Sequence, residues 1–110
     1  MSSHAVITHI ALFWLKRPGN EADRAALVAG IRALGTIDVV ASCAIGRAAA
    51  TEARDVVDHS FDVSEILSFA TAADQLAYQN HPVHRKFVDD CGHLWDRVQV
   101  YDITAIAPST

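Results

Sequence analysis

The longest apolar run of the sequence, residues 5–15, is rich in β-branched and aromatic side chains, which predicts a β-strand. Successive side chains of a strand point to opposite faces. Ile10 and Trp14 fall on one face, His9 and Phe13 fall on the other, and both faces are mostly apolar. Both faces of the sheet that contains this strand therefore need to be covered. The run is too short to cross a bilayer as a helix, so we expect no membrane segment.

Hydrophobic spacing and turn residues divide the rest of the chain into further elements. The predicted elements are a helix between Asn20 and Gly35, a strand over residues 38–45, a strand from residue 56 or 57, a short helix around Leu76, a helix from Pro82 and a strand over residues 97–106. In the third strand, the adjacent pair Ile66 and Leu67 interrupts the alternation and predicts a bulge or a twist. In the short helix, regular geometry would place Tyr78 beside Asp74 and Gln75 with an exposed ring, whereas an irregular helix before Pro82 would leave it free to point elsewhere.

This order of elements predicts an α+β fold, the ferredoxin-like βαββαβ sandwich, as one domain over residues 1–110. Its helices cover one face of the sheet and leave the other face bare. Because the first strand is apolar toward both faces, a second copy of the sheet is the simplest cover for the bare one. We therefore predict a homodimer.

Charge and composition narrow the range of partners. Nine basic and thirteen acidic residues give a net charge of −4, and no basic cluster is longer than two residues. This balance argues against nucleic-acid binding and against a polybasic membrane contact. Cys43 and Cys91 form no CxxC pair, and we expect both to be buried in a reducing cytosol. The N-terminus carries neither a basic region nor a cleavage signal, so we expect a cytoplasmic protein.

The clearest functional signal is the block His81-Pro82-Val83-His84. Pro82 suits the first turn of a helix, with His81 as its cap. From His84 an apolar stripe continues at helical spacing through Phe87, Val88, Cys91 and Trp95. His84 should therefore point inward, near a helix N-terminus that disfavours its protonated form. A neutral imidazole in an apolar interior can act as a base or hold a ligand. The alternative is a core histidine satisfied by one hydrogen bond.

Motifs for metal or covalent chemistry are weak in this sequence. There are six histidines, but His81 and His84 are three residues apart instead of four, and no paired cysteines accompany them. Acidic residues are expected on polar faces, away from these histidines. We find no glycine-rich phosphate loop, and no serine or cysteine nucleophile at a recognisable spacing from a basic partner. We therefore expect no metal site.

A resemblance to a known family rests on three segments, residues 8–16, residues 78–88 and residues 98–102. In order and spacing they resemble the stress-responsive dimeric A/B barrel (Dabb) family. The resemblance implies a ferredoxin-like fold in which two subunits join their sheets into a dimeric α/β barrel. The family includes a plant polyketide (olivetolic acid) cyclase, whose histidines and tyrosine line an apolar pocket. That cyclase closes a linear polyketide by an aldol reaction without a cofactor, and we expect no cofactor here.

The resemblance assigns three candidate catalytic residues. His9 stands at the first-strand position, His84 is the second histidine of the block, and Tyr78 precedes His81 by three residues. The third-strand histidine of the cyclase corresponds to Val63 here, and His59 lies four residues earlier. The expected pocket is lined in addition by His59, Val63, Phe87 and Phe13.

Three functions are compatible with these features. The first is binding of a small apolar carbonyl or phenolic ligand in a histidine-lined pocket, with cyclase-like lyase catalysis of the aldol or enolisation type as a further step. The second is a non-catalytic dimeric stress or interaction protein. The third is a dimeric α+β barrel monooxygenase, which rests on fold analogy alone.

Overall fold

The computed structural model describes residues 6–106, so Ala5, the predicted start of the first strand, lies outside the described residues. Its elements are β1 (Ile7–Leu15), α1 (Glu21–Leu34), β2 (Ser42–Gly46), β3 (Val63–Phe69), α2 (Ala72–Gln79), α3 (Pro82–Cys91), a 3₁₀ turn (Gly92–Leu94) and β4 (Trp95–Thr104). The four strands form one sheet in the order β2-β3-β1-β4, and each neighbouring pair is antiparallel. This is the predicted ferredoxin-like α+β arrangement, and the predicted order of elements is confirmed.

Local side-chain caps begin each of the three α-helices. Asn20 accepts a hydrogen bond from the backbone N–H of Asp23 at 2.9 Å and starts α1. Thr71 accepts one from the N–H of Asp74 at 3.0 Å and starts α2. The Nδ1 atom of His81 accepts one from Val83 at 3.0 Å, so His81 caps α3 ahead of Pro82 as predicted. These caps satisfy N–H groups that the first turn of a helix cannot pair internally.

The core lies between one face of the sheet and the helices. In β1 the odd-numbered residues point into it, and the same holds for β3. The buried apolar residues are Ala11, Phe13, Leu15, Leu27, Ile31, Leu34, Ile37, Val63, Leu67, Phe69, Tyr78, Phe87, Cys91 and Leu94. The opposite, open face of the sheet is only partly buried along β1, at Ile10, Leu12 and Trp14.

Helices α1 and α3 approach each other closely at Gly30. A Cβ atom at this position would lie 2.7 Å from the Sγ atom of Cys91 and 3.0 Å from Cδ1 of Phe87. Both distances are shorter than ordinary van der Waals contact, so only glycine fits without a shift of α3. This contact sets the position of the helix that carries His84.

Three strand predictions are wrong at their boundaries, and the last strand, predicted over residues 97–106, runs from Trp95 to Thr104. The second strand begins at Ser42 instead of residue 38, and the third begins at Val63 instead of residue 56 or 57. The predicted bulge at Ile66 and Leu67 is also wrong, because β3 pairs with β1 in continuous register from Val63 to Phe69. The alternation looked broken only because an acidic residue, Glu65, occupies an inward position between Val63 and Leu67.

Three other predictions about burial need correction. Cys91 is buried as expected, but Cys43 is exposed because it lies on the edge strand β2. Trp95 does not continue the stripe of α3, because a 3₁₀ turn ends the helix and Trp95 begins β4. Val88, predicted to point inward, is exposed.

Candidate functional site

A cavity of about 180 Å³ lies between the helix-covered face of the sheet and helices α2 and α3. Its lining residues are His9, Ala11, Phe13, Glu65, Tyr78, Gln79, His84, Phe87, Val88, Trp95, Val98 and Val100. Val88, Val98 and Val100 are exposed, so the cavity opens to solvent over β4, the strand at the edge of the sheet. The site is therefore a mostly apolar recess with a few polar groups, which is the usual form of a small-molecule site.

The structure brings five of the seven sequence-predicted site residues to this cavity. They are His9, Phe13, Tyr78, His84 and Phe87. Their convergence depends on three separate elements, because β1, α2 and α3 each contribute at least one of them. Any role in binding or catalysis stays a prediction.

The other two predicted residues do not line the cavity. His59 lies four residues before β3 begins, in the long connection after β2, and its Nε2 atom is 2.8 Å from the Thr51 hydroxyl. The third strand was predicted to start at residue 56 or 57 and to include His59, but His59 lies outside β3. Val63 does point to the helix side but is fully buried in the core beside Phe13, its register partner on β1.

His84 is partly buried in the first turn of α3, as the apolar stripe predicted. Burial lowers the pKa of its imidazole and the nearby His9 acts in the same direction, while the charge of Glu65 opposes them in part. The ring is therefore neutral at pH 7 and can accept a proton. Its edge meets the Tyr78 ring, with centroids 4.9 Å apart.

Tyr78 is 1% exposed, so the exposed ring predicted from helix geometry is wrong. The face of α2 was assigned the wrong way round, because Leu76 is the exposed residue, at 59%. The Tyr78 ring packs against Phe69 at a centroid distance of 5.1 Å and against His9 at 5.9 Å. Burial, reinforced by the charge of Glu65, raises the pKa of its phenol well above the ordinary value. Tyr78 therefore keeps its proton and can only donate or accept a hydrogen bond as a neutral group.

His9 bridges two carboxylates that the sequence pattern did not place near it. Its Nδ1 atom is 2.6 Å from Oδ1 of Asp102 on β4, and its Nε2 atom is 3.3 Å from Oε2 of Glu65 on β3. Burial alone would lower the pKa of His9, but the hydrogen bonds to Glu65 and Asp102 together outweigh it and raise the pKa. The two acids thus favour the protonated form of His9.

Glu65 is the functional candidate that the sequence patterns missed. It is 2% exposed, lines the cavity and pairs with His9. The expectation that acidic residues lie on polar faces is wrong here. A usable signal was its position two residues from Val63 and two from Leu67, in phase with the buried face of β3.

An aromatic wall closes the other side of the cavity. The ring of Trp95 packs edge-on against Phe13, with centroids 4.9 Å apart, and stacks on Phe87 at 5.5 Å. Such aromatic surfaces favour flat, apolar ligands over strongly hydrated ones. The cavity thus combines a neutral base, a neutral donor and a carboxylate with an apolar wall.

The His9 cluster is not arranged as a metal site. Its two carboxylates lie against opposite nitrogens of one ring, so the donor atoms do not converge on one point. Within residues 6–106, no group of three or more histidine, cysteine or acidic residues could hold a metal ion. No helix in the same range is long and apolar enough to cross a membrane.

The fold and the cavity define the class of protein: a ferredoxin-like α+β domain with a recess between the sheet and the helices. The sequence model of the Stress responsive A/B Barrel Domain (Dabb) family matches residues 7–105. The chain therefore belongs to the Dabb family, as the resemblance indicated. No curated protein matches the sequence significantly.

Solved structures share this fold at low sequence identity. A ferredoxin-like Dabb family protein from Mesorhizobium loti is 21% identical, with a TM-score of 0.76 over 94% of this chain and 99% of that one. A dimeric ferredoxin-like protein of unknown function from Thermobifida fusca is 17% identical, with a TM-score of 0.73 over 96% and 95% of the two chains. The hydroxynitrile lyase from Passiflora edulis is 15% identical, with a TM-score of 0.80 over 98% and 100%.

Proposed function

We propose that the protein binds a small apolar molecule carrying a carbonyl or a phenol in the cavity, and that His84 exchanges a proton with it. The observation that carries this proposal is the pair of neutral rings of His84 and Tyr78, whose centroids are 4.9 Å apart at the wall of an otherwise apolar recess. No hydrogen bond contributes to the pKa of His84. Because no buried side-chain nitrogen or oxygen among residues 6–106 lacks a partner, the ring nitrogens of His84 are not sealed away unpaired in the core. The imidazole is thus available to a molecule in the cavity.

The proposed chemistry is proton transfer next to a carbonyl group. The Tyr78 hydroxyl donates a hydrogen bond to the carbonyl oxygen, and His84 takes a proton from the adjacent carbon. The C–H bond breaks, an N–H bond forms on His84, and the electron pair moves to the oxygen as an enolate. Attack of that enolate carbon on a second carbonyl of the same molecule forms a carbon–carbon bond and reforms the first C=O. The second carbonyl oxygen becomes an alkoxide, which takes the proton back from His84 and completes the aldol closure. The hydroxynitrile lyase of the same fold supports the idea that this scaffold accommodates lyase chemistry.

We also propose that the protein acts as a homodimer through the open face of its sheet. The side chains of β1 on this face include Ile10, Leu12 and Trp14, and those of the flanking strands include Ile66, Tyr101 and Ile103. Tyr101 is 52% exposed, and Ile66 and Ile103 are also exposed in a single subunit. An apolar sheet face of this kind is costly to leave in water. The dimeric protein from Thermobifida fusca supports this assembly.

Light scattering after size-exclusion chromatography tests the dimer. At micromolar concentration we expect twice the mass of one 11.9 kDa chain. Replacement of Leu12 by Asp places a charge in the middle of the open face and should give a folded monomer. A wild-type protein that stays monomeric at these concentrations contradicts the dimer.

An NMR titration with acetophenone, a small aromatic ketone, tests the cavity and the role of His84. Binding should shift resonances of Val98 and Val100 at the mouth of the cavity. His84→Ala removes one hydrogen-bonding partner and should weaken binding about fivefold to tenfold, equivalent to roughly 1 kcal/mol. The matched control is His93→Ala, because His93 is exposed in the 3₁₀ turn. If both variants bind acetophenone as the wild type does, His84 is not the ligand-binding group.

A non-catalytic domain is the second candidate, and one observation favours it. Val63 occupies the position that the family resemblance gives to a histidine, and it is buried in the core. Such a domain would keep the cavity as a packing defect and bind no ketone. Absence of any shift at millimolar acetophenone would therefore favour this candidate over the first.

A further inference from the structure

Glu65 is a buried acid that the proposed proton transfer does not use. It lies in the middle of β3, is 2% exposed and forms part of the cavity wall beside Tyr78 and His84. Carboxylates are rarely buried to this degree unless they are paired. The partner of Glu65 is His9, whose Nε2 atom is 3.3 Å from Oε2.

The paired groups leave the site with a net negative charge. One histidine bridges two carboxylates, so even a protonated His9 leaves the three groups together with one negative charge. Asp102 is half exposed, at 49% of its side chain, and does not line the cavity. Glu65 is the carboxylate of the cluster that lines the cavity. The other polar groups facing His9 and Glu65, Tyr78 on α2 and His84 on α3, contribute no compensating charge.

We propose that Glu65 determines the ligand class of the cavity: it admits neutral molecules with a hydroxyl or enol donor, such as phenols, and excludes molecules with a carboxylate. This inference rests on the proposed function and narrows it. A phenolic hydroxyl can donate to the Glu65 carboxylate, and a hydrogen bond to a charged acceptor is stronger than one between neutral groups. A ligand carboxylate, in contrast, meets a like charge at the wall of the cavity.

The size of this discrimination follows from the distances inside a small cavity. Two like charges about 6 Å apart at an effective dielectric constant of about 20 repel by an energy equal to roughly a hundredfold in affinity. His9, which also lines the cavity, is paired with Glu65 and cancels part of this repulsion. We therefore expect phenol to bind at least about tenfold more tightly than benzoate, which has the same ring but is an anion at pH 7.

The test is a pair of NMR titrations of the wild-type protein at pH 7, with phenol and with benzoate, followed through the Val98 and Val100 resonances. The same titrations use Glu65→Gln, which has nearly the same shape, can still accept a hydrogen bond from His9 and removes the charge. Glu52→Gln is the matched control, because Glu52 is exposed in the connection before β3 and carries the same charge change. We expect the wild type and E52Q to show the same preference for phenol over benzoate. In E65Q this preference should be only about threefold or less.

Each outcome decides the inference. If benzoate binds the wild type as tightly as phenol, the inference is overturned and the proposed function stands. The same conclusion follows if the preference for phenol over benzoate is unchanged in E65Q. Absence of binding by both molecules overturns the proposed function and the inference together. If E65Q does not fold, the comparison of phenol with benzoate on the wild type still decides the outcome.

Discussion

Replacement of His9 by Leu removes the cation that stabilises a buried acid, and its cost can be worked out from the structure. His9 is 6% exposed and Glu65 is 2% exposed, so solvent screens little of their interaction. Removal of one partner of such a buried pair costs about 3–5 kcal/mol, because the remaining charge is left unpaired. Natural domains are stable by only about 5–15 kcal/mol, so His9→Leu should remove a large part of the stability. At about 4–8 °C per kcal/mol, the melting temperature should fall by roughly 12–40 °C.

Urea unfolding followed by circular dichroism at pH 7 measures this loss as a change in the free energy of unfolding. The double variant His9→Leu, Glu65→Leu removes both charges and should recover most of the stability, because an apolar pair can replace a buried ion pair at little cost. His93→Leu is the control at an exposed position and should change the free energy of unfolding by no more than about 0.5 kcal/mol.

The pH dependence of the stability loss in His9→Leu is an independent test of the same pairing. Because the pKa of His9 is raised in the folded state, its pairing stabilises the fold most below pH 6.5, so the loss of stability in His9→Leu should be larger below pH 6.5 than at alkaline pH. Two results refute the reasoning: a loss below about 1 kcal/mol in the single variant, or a double variant that is no more stable than the single one. Either result means that Glu65 does not depend on His9 for its burial.

Two other perturbations test the same region. The pKa of His9 is raised in the folded state, so its bridge stabilises the protein fully below the unfolded value of 6.5 and less as pH rises through the folded value. The urea midpoint should therefore fall on the alkaline side of pH 6.5. This fall should be absent in His9→Gln. Gly30→Ala should cost about 1–3 kcal/mol by overpacking against Cys91, less the helix-propensity gain of about 1 kcal/mol. Cys91→Ala should relieve the clash. If urea unfolding gives the same cost for Gly30→Ala in the wild type and in Cys91→Ala, the two residues are not in close contact.

Local patterns were sufficient to predict the elements whose signals lie within a few residues. Asn20 and Thr71 cap helices through backbone groups three residues away, and His81 caps α3 through one two residues away. The order of strands and helices follows from such local signals, and with it the fold. The two apolar faces of β1 are equally visible, although the assembly that would cover the open face is a property of two chains.

The site was less predictable because its contacts are distant in sequence. His9 and Asp102 are 93 residues apart, and their pairing depends on β4 returning beside β1. Glu65 was placed on a polar face because acids usually lie there, whereas its burial depends on a histidine from another strand. Tyr78 was assigned to the wrong face because α2 has only eight residues, too few for a clear apolar stripe.

Native mass spectrometry of the freshly purified protein tests the central claim most directly, because one spectrum reports the assembly and any bound small molecule. We expect the mass of two chains carrying added organic mass, and the loss of that added mass in His84→Ala, with the dimer intact. An occupant retained equally by His84→Ala, or a protein that carries no added mass and takes up no acetophenone or phenol, contradicts ligand binding through His84 in this cavity.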